Sequence, residues 1–165
     1  MDKVTVAQAF DVAIAAERAA EKLFQGLEAK FALHEDVATF WKQYAYDEVK
    51  HAEWLAGLKA RLTTEQLSGL VDAQTVGLLQ AVNGISVERA LLGVKNLEDA
   101  YQLVNDIENG ETNAIFQFLL NNFEIDVQIR DFLRTQLNKH IARLSIDLPE
   151  QYKEIHSRKA IQALE

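Results

Sequence analysis

The sequence predicts an all-α protein built around four long helices. Ala, Leu, Glu, Lys and Gln, which favour helices, are abundant among the 165 residues. The chain has only one proline and seven glycines, which argues against a sheet protein with many tight turns. Four long segments also repeat apolar residues at alternating spacings of three and four, the period of an amphipathic helix. The length fits one domain with its own core, so we expect a single domain over residues 1–165.

The first two helical segments should form an antiparallel hairpin. The first covers about residues 5–32, and the second covers about residues 36–62 with Asp36 as its N-cap. Only a short stretch around His34 separates them, so the two helices should pack side by side. The inward positions are Phe10, Ala13, Glu17, Ala20, Phe24, Leu27 and Phe31 in the first segment, and Val37, Trp41, Tyr44, Glu48, His51, Leu55, Leu58 and Leu62 in the second.

The other two long segments cover about residues 97–123 and 126–146, and a short turn joins them. Their inward positions are Tyr101, Val104, Glu108, Glu111, Ile115 and Phe118, followed by Ile129, Leu133, Leu137, His140 and Leu144. Glycines interrupt residues 63–96, which we interpret as a long crossover containing two or three short helices. Pro149 either stops the fourth helix or starts a C-terminal tail helix over about residues 149–165. The predicted architecture is an antiparallel four-helix bundle with a long crossover between helices 2 and 3.

Composition excludes several classes of function. The net charge of −8 disfavours nucleic acid as a partner, because binding phosphates needs a basic surface. The chain has no cysteine, which excludes disulfides, thiolate zinc sites, iron–sulfur clusters and cysteine nucleophiles. The apolar runs are too short to span a membrane, and no secretory signal is visible at the start. A soluble, cytoplasmic protein is therefore the expectation.

Ionisable residues interrupt the inward stripes at a similar depth in all four segments. These residues are Glu17, Glu48, His51, Glu108, Glu111 and His140. A buried carboxylate must be neutralised, paired or bound to a cation, because leaving it alone costs several kcal/mol. No Lys or Arg lies at the centre of these stripes to pair with them. Carboxylate oxygen and imidazole nitrogen without sulfur suit iron, manganese or zinc.

The spacing within the second segment supports a metal site. Glu48 and His51 form a Glu-x-x-His sequence, and residues three apart lie on one face of a helix about one turn from each other. Both side chains can therefore reach one ion. Such a pair is common by chance, and Glu17 in the preceding helix gives it weight.

The whole chain resembles the ferritin-like superfamily, and within it the rubrerythrin group. In that family one Glu from each of two helices, and a Glu-x-x-His pair from each of the other two, surround two irons. The resemblance makes Glu17 and Glu108 the lone carboxylates, Glu48 and His51 the first pair, and His140 the second histidine.

The chain departs from the family pattern at the second Glu-x-x-His pair. Leu137 stands where the glutamate partner of His140 is expected. Glu111, one turn after Glu108, is a hypothetical replacement. His140 therefore fits either a metal ligand or a core histidine bonded to a carboxylate.

The resemblance implies a non-haem iron protein that oxidises Fe(II) with peroxide or oxygen, often as a peroxide reductase. It implies two iron ions, with one as the alternative, and a homodimer. Rubrerythrins also carry a cysteine-bound iron, which this chain cannot hold, so its electrons would come from an external donor. The alternatives are a degenerate bundle that binds one metal or none and acts as a metal-binding or interaction module, and a helical scaffold whose interior carboxylates are protonated or salt-bridged.

Overall fold

The computed structural model describes residues 3–83 and 86–146. Within these ranges the chain forms eight helices: α1 Val6–Lys30, α2 Glu35–Arg61, α3 Thr64–Ser68, α4 Ala73–Val82, α5 Val87–Gly93, α6 Leu97–Glu108, α7 Glu111–Phe123 and α8 Val127–Ile146. The all-α prediction is confirmed. None of these helices combines the length and the hydrophobicity that crossing a membrane requires.

The two longest helices, α1 and α2, pack against each other along their lengths. Near the joined ends, the rings of Phe24 and Tyr44 lie 5.1 Å apart. Near the open ends, Lys59 Nζ lies 2.6 Å from Asp11 Oδ1. Asp11, early in α1, thus lies beside Lys59, late in α2, whereas Phe24, late in α1, lies beside Tyr44, earlier in α2. The two helices therefore run antiparallel.

The two helices begin differently. Thr5 starts α1 with a capping box, in which the Thr5 hydroxyl accepts from the Gln8 amide and the Gln8 side chain accepts from the Thr5 amide. The predicted N-cap of α2, Asp36, is wrong, because the N-cap is His34, two residues earlier. The His34 carbonyl accepts the first helical bond, from the Ala38 amide, and Asp36 lies within the first turn. A carboxylate in the first turn still stabilises the helix, because it interacts favourably with the positive end of the helix dipole.

The three short helices α3, α4 and α5 pack against α1, and α4 also packs against α7. The chain before α1 is tied to this region by two backbone bonds. The Val6 amide donates to the Gly69 carbonyl at 2.8 Å, and the Val71 amide donates to the Val4 carbonyl at 3.0 Å. Residues 63–83 and 86–96 thus cover one side of α1.

The predicted helix over residues 97–123 is wrong as a continuous element, because it divides into α6 and α7. At the end of α6 the Gly110 amide donates to the Ile107 carbonyl at 3.2 Å, three residues back, and the Asn109 side-chain amide donates to the Asn105 carbonyl at 3.0 Å. Gly110 then adopts an extended conformation. A Cβ at that position would lie 2.7 Å from the Asp106 carbonyl oxygen, so the break suits glycine. Glu108 is consequently the last residue of α6.

The buried side chains form two apolar clusters. The first is Val6, Ala9, Phe10, Ala13, Leu55, Leu58, Leu79, Val82, Ile115, Phe116, Leu119, Leu120, Leu133 and Leu137, and the second is Ala20, Phe24, Leu27, Val37, Phe40, Trp41, Tyr44, Ala45, Val94, Ala100, Val104 and Leu144. Along α1, Glu17 lies between Ala13 of the first cluster and Ala20 of the second. Along α8, His140 lies between Leu137 and Leu144 in the same way. The ionisable residues therefore occupy the layer between two apolar clusters.

Two further predictions concern an inward-facing position of α8 and the C-terminal tail. Ile129, predicted to face inward, is 39% exposed, because it lies in the first turn of α8 beyond the first cluster. The predicted tail helix over residues 149–165 lies outside the described residues.

Candidate metal centre

Five of the six predicted site residues meet in the interior. These residues are at most 8% exposed and come from four helices: Glu17 from α1, Glu48 and His51 from α2, Glu108 from α6 and His140 from α8. The sixth residue, Glu111, begins α7, but its side chain lies outside what the structure describes, so its predicted ligand role stays a prediction.

Glu48 lies at the centre of this group. Its Oε2 atom is 3.1 Å from Nδ1 of His51, one turn along the same helix. Its Oε1 atom is 2.9 Å from Nε2 of His140 on α8. One carboxylate thus faces two imidazoles.

Each histidine also faces a second carboxylate. Glu17 Oε2 lies 3.5 Å from Nδ1 of His51. Glu108 Oε2 lies 3.2 Å from Nε2 of His140. The arrangement consists of two half-sites that share Glu48, one formed with Glu17 and His51 and the other with Glu108 and His140.

Glu48 Oε1 and His140 Nε2 lie 2.9 Å apart as an ion pair. Neither atom forms a hydrogen bond of the usual geometry with any described residue. Buried polar atoms without partners are rare, because each costs about 1–3 kcal/mol. A cation placed between them would satisfy both.

The donor set fits a small divalent or trivalent metal ion. One ligand atom from each of Glu48, His51 and His140 lies within 4.8 Å of the others. Carboxylate oxygen and imidazole nitrogen are ligands for iron, manganese and zinc. Glu17 and Glu108 add two more carboxylates beside the same histidines.

The three carboxyl groups differ in their affinity for protons. Burial, reinforced by the charge of Glu48, raises the pKa of Glu17 well above its usual value. Burial also raises the pKa of Glu108, more than His140 lowers it. Burial alone would raise the pKa of Glu48, but contacts with His140 and His51 outweigh it and hold that pKa well below its usual range. Glu48 is therefore the permanent negative charge of the centre.

Both imidazoles bind protons strongly when no metal is bound. Burial alone would lower the pKa of His51, but contacts with Glu17 and Glu48 outweigh it and raise the pKa to about 9. The pKa of His140 is likewise raised, because Glu108, Asp47 and Glu48 outweigh the effect of burial. A metal ion would replace these protons as the positive charge.

A further carboxylate, Asp47, was not predicted from the sequence. Its Oδ2 atom lies 3.4 Å from Nδ1 of His140, and the same oxygen forms an ion pair with Arg143. Burial alone would raise the pKa of Asp47, but His140 and Arg143 outweigh it and lower the pKa, so the carboxylate is charged at neutral pH. Metal-binding histidines commonly donate their other N–H to such a group, which fixes the ring. The only signal in the sequence is that Asp47 directly precedes Glu48.

Tyr44 also holds His140 in place. Its hydroxyl donates to the backbone carbonyl of His140 at 2.9 Å, and the two rings are 4.5 Å apart. The ring of His51 is similarly packed, 5.6 Å from Phe116. Both imidazoles are thus held by aromatic neighbours as well as by carboxylates.

No family model matches the chain, and neither a curated protein nor a solved structure matches it. The function must therefore be inferred from the chemistry of the side chains. They can bind a cation and neutralise its charge.

Proposed function

We propose that the protein is a non-haem iron carboxylate protein of rubrerythrin type, which oxidises Fe(II) with peroxide or oxygen and, where peroxide is the oxidant, reduces it. The observation that carries this proposal is the position of Glu48 between His51 and His140, with Glu48 Oε1 and His140 Nε2 buried and without hydrogen bonds. Two acidic half-sites around one shared carboxylate suit a pair of ions, and we propose two irons as the native state.

The proposal includes the ferritin-like fold. The long helices would be α1, α2, the broken pair α6–α7, and α8, with α3–α5 as the crossover between helices 2 and 3. In support, α1 packs on α2 and α7, and α8 contacts both α6 and α7. The centre also receives side chains from α1, α2, α6 and α8, as a bundle-core metal site requires.

Each residue has a distinct part in the proposed chemistry. Iron would supply the electrons that reduce peroxide or oxygen, and an external donor would replace them. Glu17, Glu48 and Glu108 offset the positive charge, and Glu48 contributes to both half-sites. His51 and His140 supply neutral nitrogen donors once their protons have left. The ligands are buried, and the lower dielectric of the interior strengthens these electrostatic interactions.

Asp47 has a positioning part. A proton on Nδ1 of His140 directed at Asp47 leaves the Nε2 lone pair facing Glu48 and Glu108. Arg143 in turn holds Asp47. The contact between Asp47 and Nδ1 of His140 therefore determines that Nε2 is the nitrogen available to the metal.

One observation favours a second candidate, a degenerate bundle that binds one metal or none. Leu137 is buried in the first apolar cluster, where the second Glu-x-x-His pair would need a carboxylate. The most compact donor set, Glu48 with His51 and His140, has the size of a single-ion site. This candidate would act as a metal-binding or interaction module without turnover.

Anaerobic titration of metal-free protein with Fe(II) separates the two candidates. We expect two irons per chain, and peroxide or oxygen should then produce the near-ultraviolet absorption of a ferric pair. One iron per chain without peroxide-driven oxidation would favour the second candidate, and no binding of iron, manganese or zinc would contradict the metal centre. Sedimentation of the same samples tests the predicted homodimer.

A further inference from the structure

A cleft between α2 and α8 leads from the surface to the candidate metal centre. It has a volume of about 260 Å³, and its lining includes His51 and His140. One water molecule takes up about 30 Å³ in the liquid, and peroxide and oxygen are only slightly larger than water. The cleft is therefore larger than either molecule needs. It is smaller than the pockets that enclose drug-sized ligands. The size suits a small organic molecule.

The cleft is positively charged in an acidic protein. Lys50, Lys139 and Arg143 line it, and Asp47 is the only carboxylate among the described residues of the lining. Arg143 is paired with Asp47. Lys50 lies over the ring of Tyr46, and neither it nor Lys139 forms an ion pair with another residue of the described ranges. Two cations thus share one cleft without compensation, although the chain carries a net charge of −8.

Aromatic side chains form the apolar part of the cleft. The rings of Trp54 and Phe132 lie 6.4 Å apart and nearly perpendicular, and Phe132 is 56% exposed. An exposed Phe beside a Trp leaves apolar surface in contact with water. A flat apolar ligand would cover that surface and pack against both rings.

We propose that this cleft binds a small organic anion with a flat apolar body, such as an aromatic carboxylate. Lys50 and Lys139 would contact the anionic group, and Trp54 and Phe132 would contact the apolar body. The binding itself does not require metal. The inferred role of the anion, as a substrate or co-ligand beside the irons, rests on the proposed function, because His51 and His140 form the wall of the cleft.

Calorimetric titration of metal-free full-length protein tests the proposal. Benzoate is the probe, benzamide is its uncharged counterpart, and acetate lacks the ring. We expect benzoate to bind at least about tenfold more tightly than either, because benzamide lacks the charge that the lysines would contact and acetate lacks the ring that Trp54 and Phe132 would contact. The affinity for benzoate should fall with added salt, since screening weakens partly exposed ion pairs.

Variants locate the bound anion. Lys50→Gln and Lys139→Gln should each weaken benzoate binding about fivefold, the range of a partly exposed ion pair. Lys42→Gln is the matched control, because Lys42 is an exposed lysine of the same helix α2 that lies outside the cleft lining. It should leave the affinity unchanged.

Several results would overturn the proposal: no benzoate binding at millimolar concentration, equal affinity for benzoate and benzamide, or equal effects of the cleft and control substitutions. Iron binding is measured separately on the same preparation. Loss of benzoate binding with normal iron loading would refute the cleft proposal alone. Absence of iron binding with normal benzoate binding would refute the metal centre alone.

Discussion

The carboxylate of Asp47 lies 3.4 Å from Nδ1 of His140, on the far side of the ring from the nitrogen that faces Glu48. Adjacent residues of α2 therefore contact opposite nitrogens of one imidazole. Consecutive side chains on a helix point about 100° apart, so two adjacent residues can contact a side chain of a neighbouring helix from two sides. Asp47 is half-buried and reached by Arg143, whereas Glu48 is fully inside.

Replacing the positioning carboxylate should weaken the metal centre without removing a ligand. Asp47→Asn keeps the shape but loses the charge that orients His140, and we expect metal affinity to fall about 10- to 100-fold, as for other such residues. A competition titration with a chromophoric chelator measures this. Asp106→Asn, an exposed aspartate on α6, is the control and should bind metal normally. Equal affinities for Asp47→Asn and the control would contradict the positioning role.

Removing the shared carboxylate should have a larger effect. In metal-free protein, Glu48→Gln leaves two buried imidazoles without their central charge, and breaking such a buried pair lowers the free energy of unfolding by about 3 kcal/mol. Metal binding should be lost as well, because both half-sites use Glu48. Denaturant unfolding and iron titration measure the two effects. Glu53→Gln, an exposed glutamate of the same helix, should change neither.

The sequence predicted most of α1 and α2 because their stripes are long and regular. Glu17 is conspicuous in its stripe, since its inward neighbours Ala13 and Ala20 are apolar. The same reasoning placed Glu48 and His51 inside. The helical period shows which residues share one face of a helix, whatever the helix packs against. These buried positions could therefore be predicted from the local sequence alone.

Asp47 and the break before α7 could not be read in this way. Asp47 is off the inward stripe of its own helix, and its importance comes from His140, which is 93 positions away in the chain. The break occurs where Gly110 leaves the helical conformation and its amide donates to the Ile107 carbonyl, three residues back. Gly110 marked this place in the sequence, but an isolated glycine does not distinguish a break from a tolerated helical position.

The break after Glu108 should be sensitive to a single methyl group. In Gly110→Ala the new Cβ would lie 2.7 Å from the carbonyl oxygen of Asp106, and backbone must move. We expect the free energy of unfolding to fall by about 1–3 kcal/mol, as for other overpacked positions. Gly57→Ala is the opposite case, because Gly57 lies within α2 with no atom within 4 Å of the added Cβ. It should raise stability by about 0.5–1 kcal/mol, and thermal melting distinguishes the two.

Metal affinity should rise with pH between about 7 and 9. The pKa of His51 in the metal-free protein is raised to about 9, so at pH 7 this imidazole holds a proton that the metal must displace. Manganese(II) titrations across this range, with calorimetry in buffers of different ionisation enthalpy, should show proton release that shrinks towards pH 9. A flat affinity profile would contradict metal binding by this imidazole.

The same raised pKa has a consequence for the metal-free protein. His51 binds a proton more tightly folded than unfolded, so its stabilising contribution is complete below about pH 6.5 and is lost as pH rises through about 9. Thermal melts should therefore show falling stability across this window without metal. The decline should be smaller with metal bound, because the ion replaces the proton. Equal declines in both forms would show that the titration lies elsewhere.

A carboxylate introduced at Leu137 should strengthen the half-site of Glu108 and His140. Leu137 is buried in the first apolar cluster, three residues before His140. In metal-free protein, Leu137→Glu should lower the free energy of unfolding by about 3 kcal/mol or more, because it removes apolar packing and buries an acid. Iron should recover much of that loss and bind more tightly at the half-site of Glu108 and His140. Iron stoichiometry and melting with and without iron measure both effects.

The control for this substitution separates metal binding from polarity. Leu137→Gln loses the same apolar packing and buries an uncharged polar group, so it should destabilise the protein, and iron should stabilise it no more than it stabilises the native protein. A side chain that coordinates the ion lowers its dissociation constant, and the folded protein is then stabilised by a term that grows with the logarithm of the ion concentration over that constant, whereas a merely tolerated polar group adds nothing to this term. If Leu137→Glu and Leu137→Gln respond alike to iron, the position of Leu137 does not adjoin a metal, and the second half-site is only a hydrogen-bonded histidine.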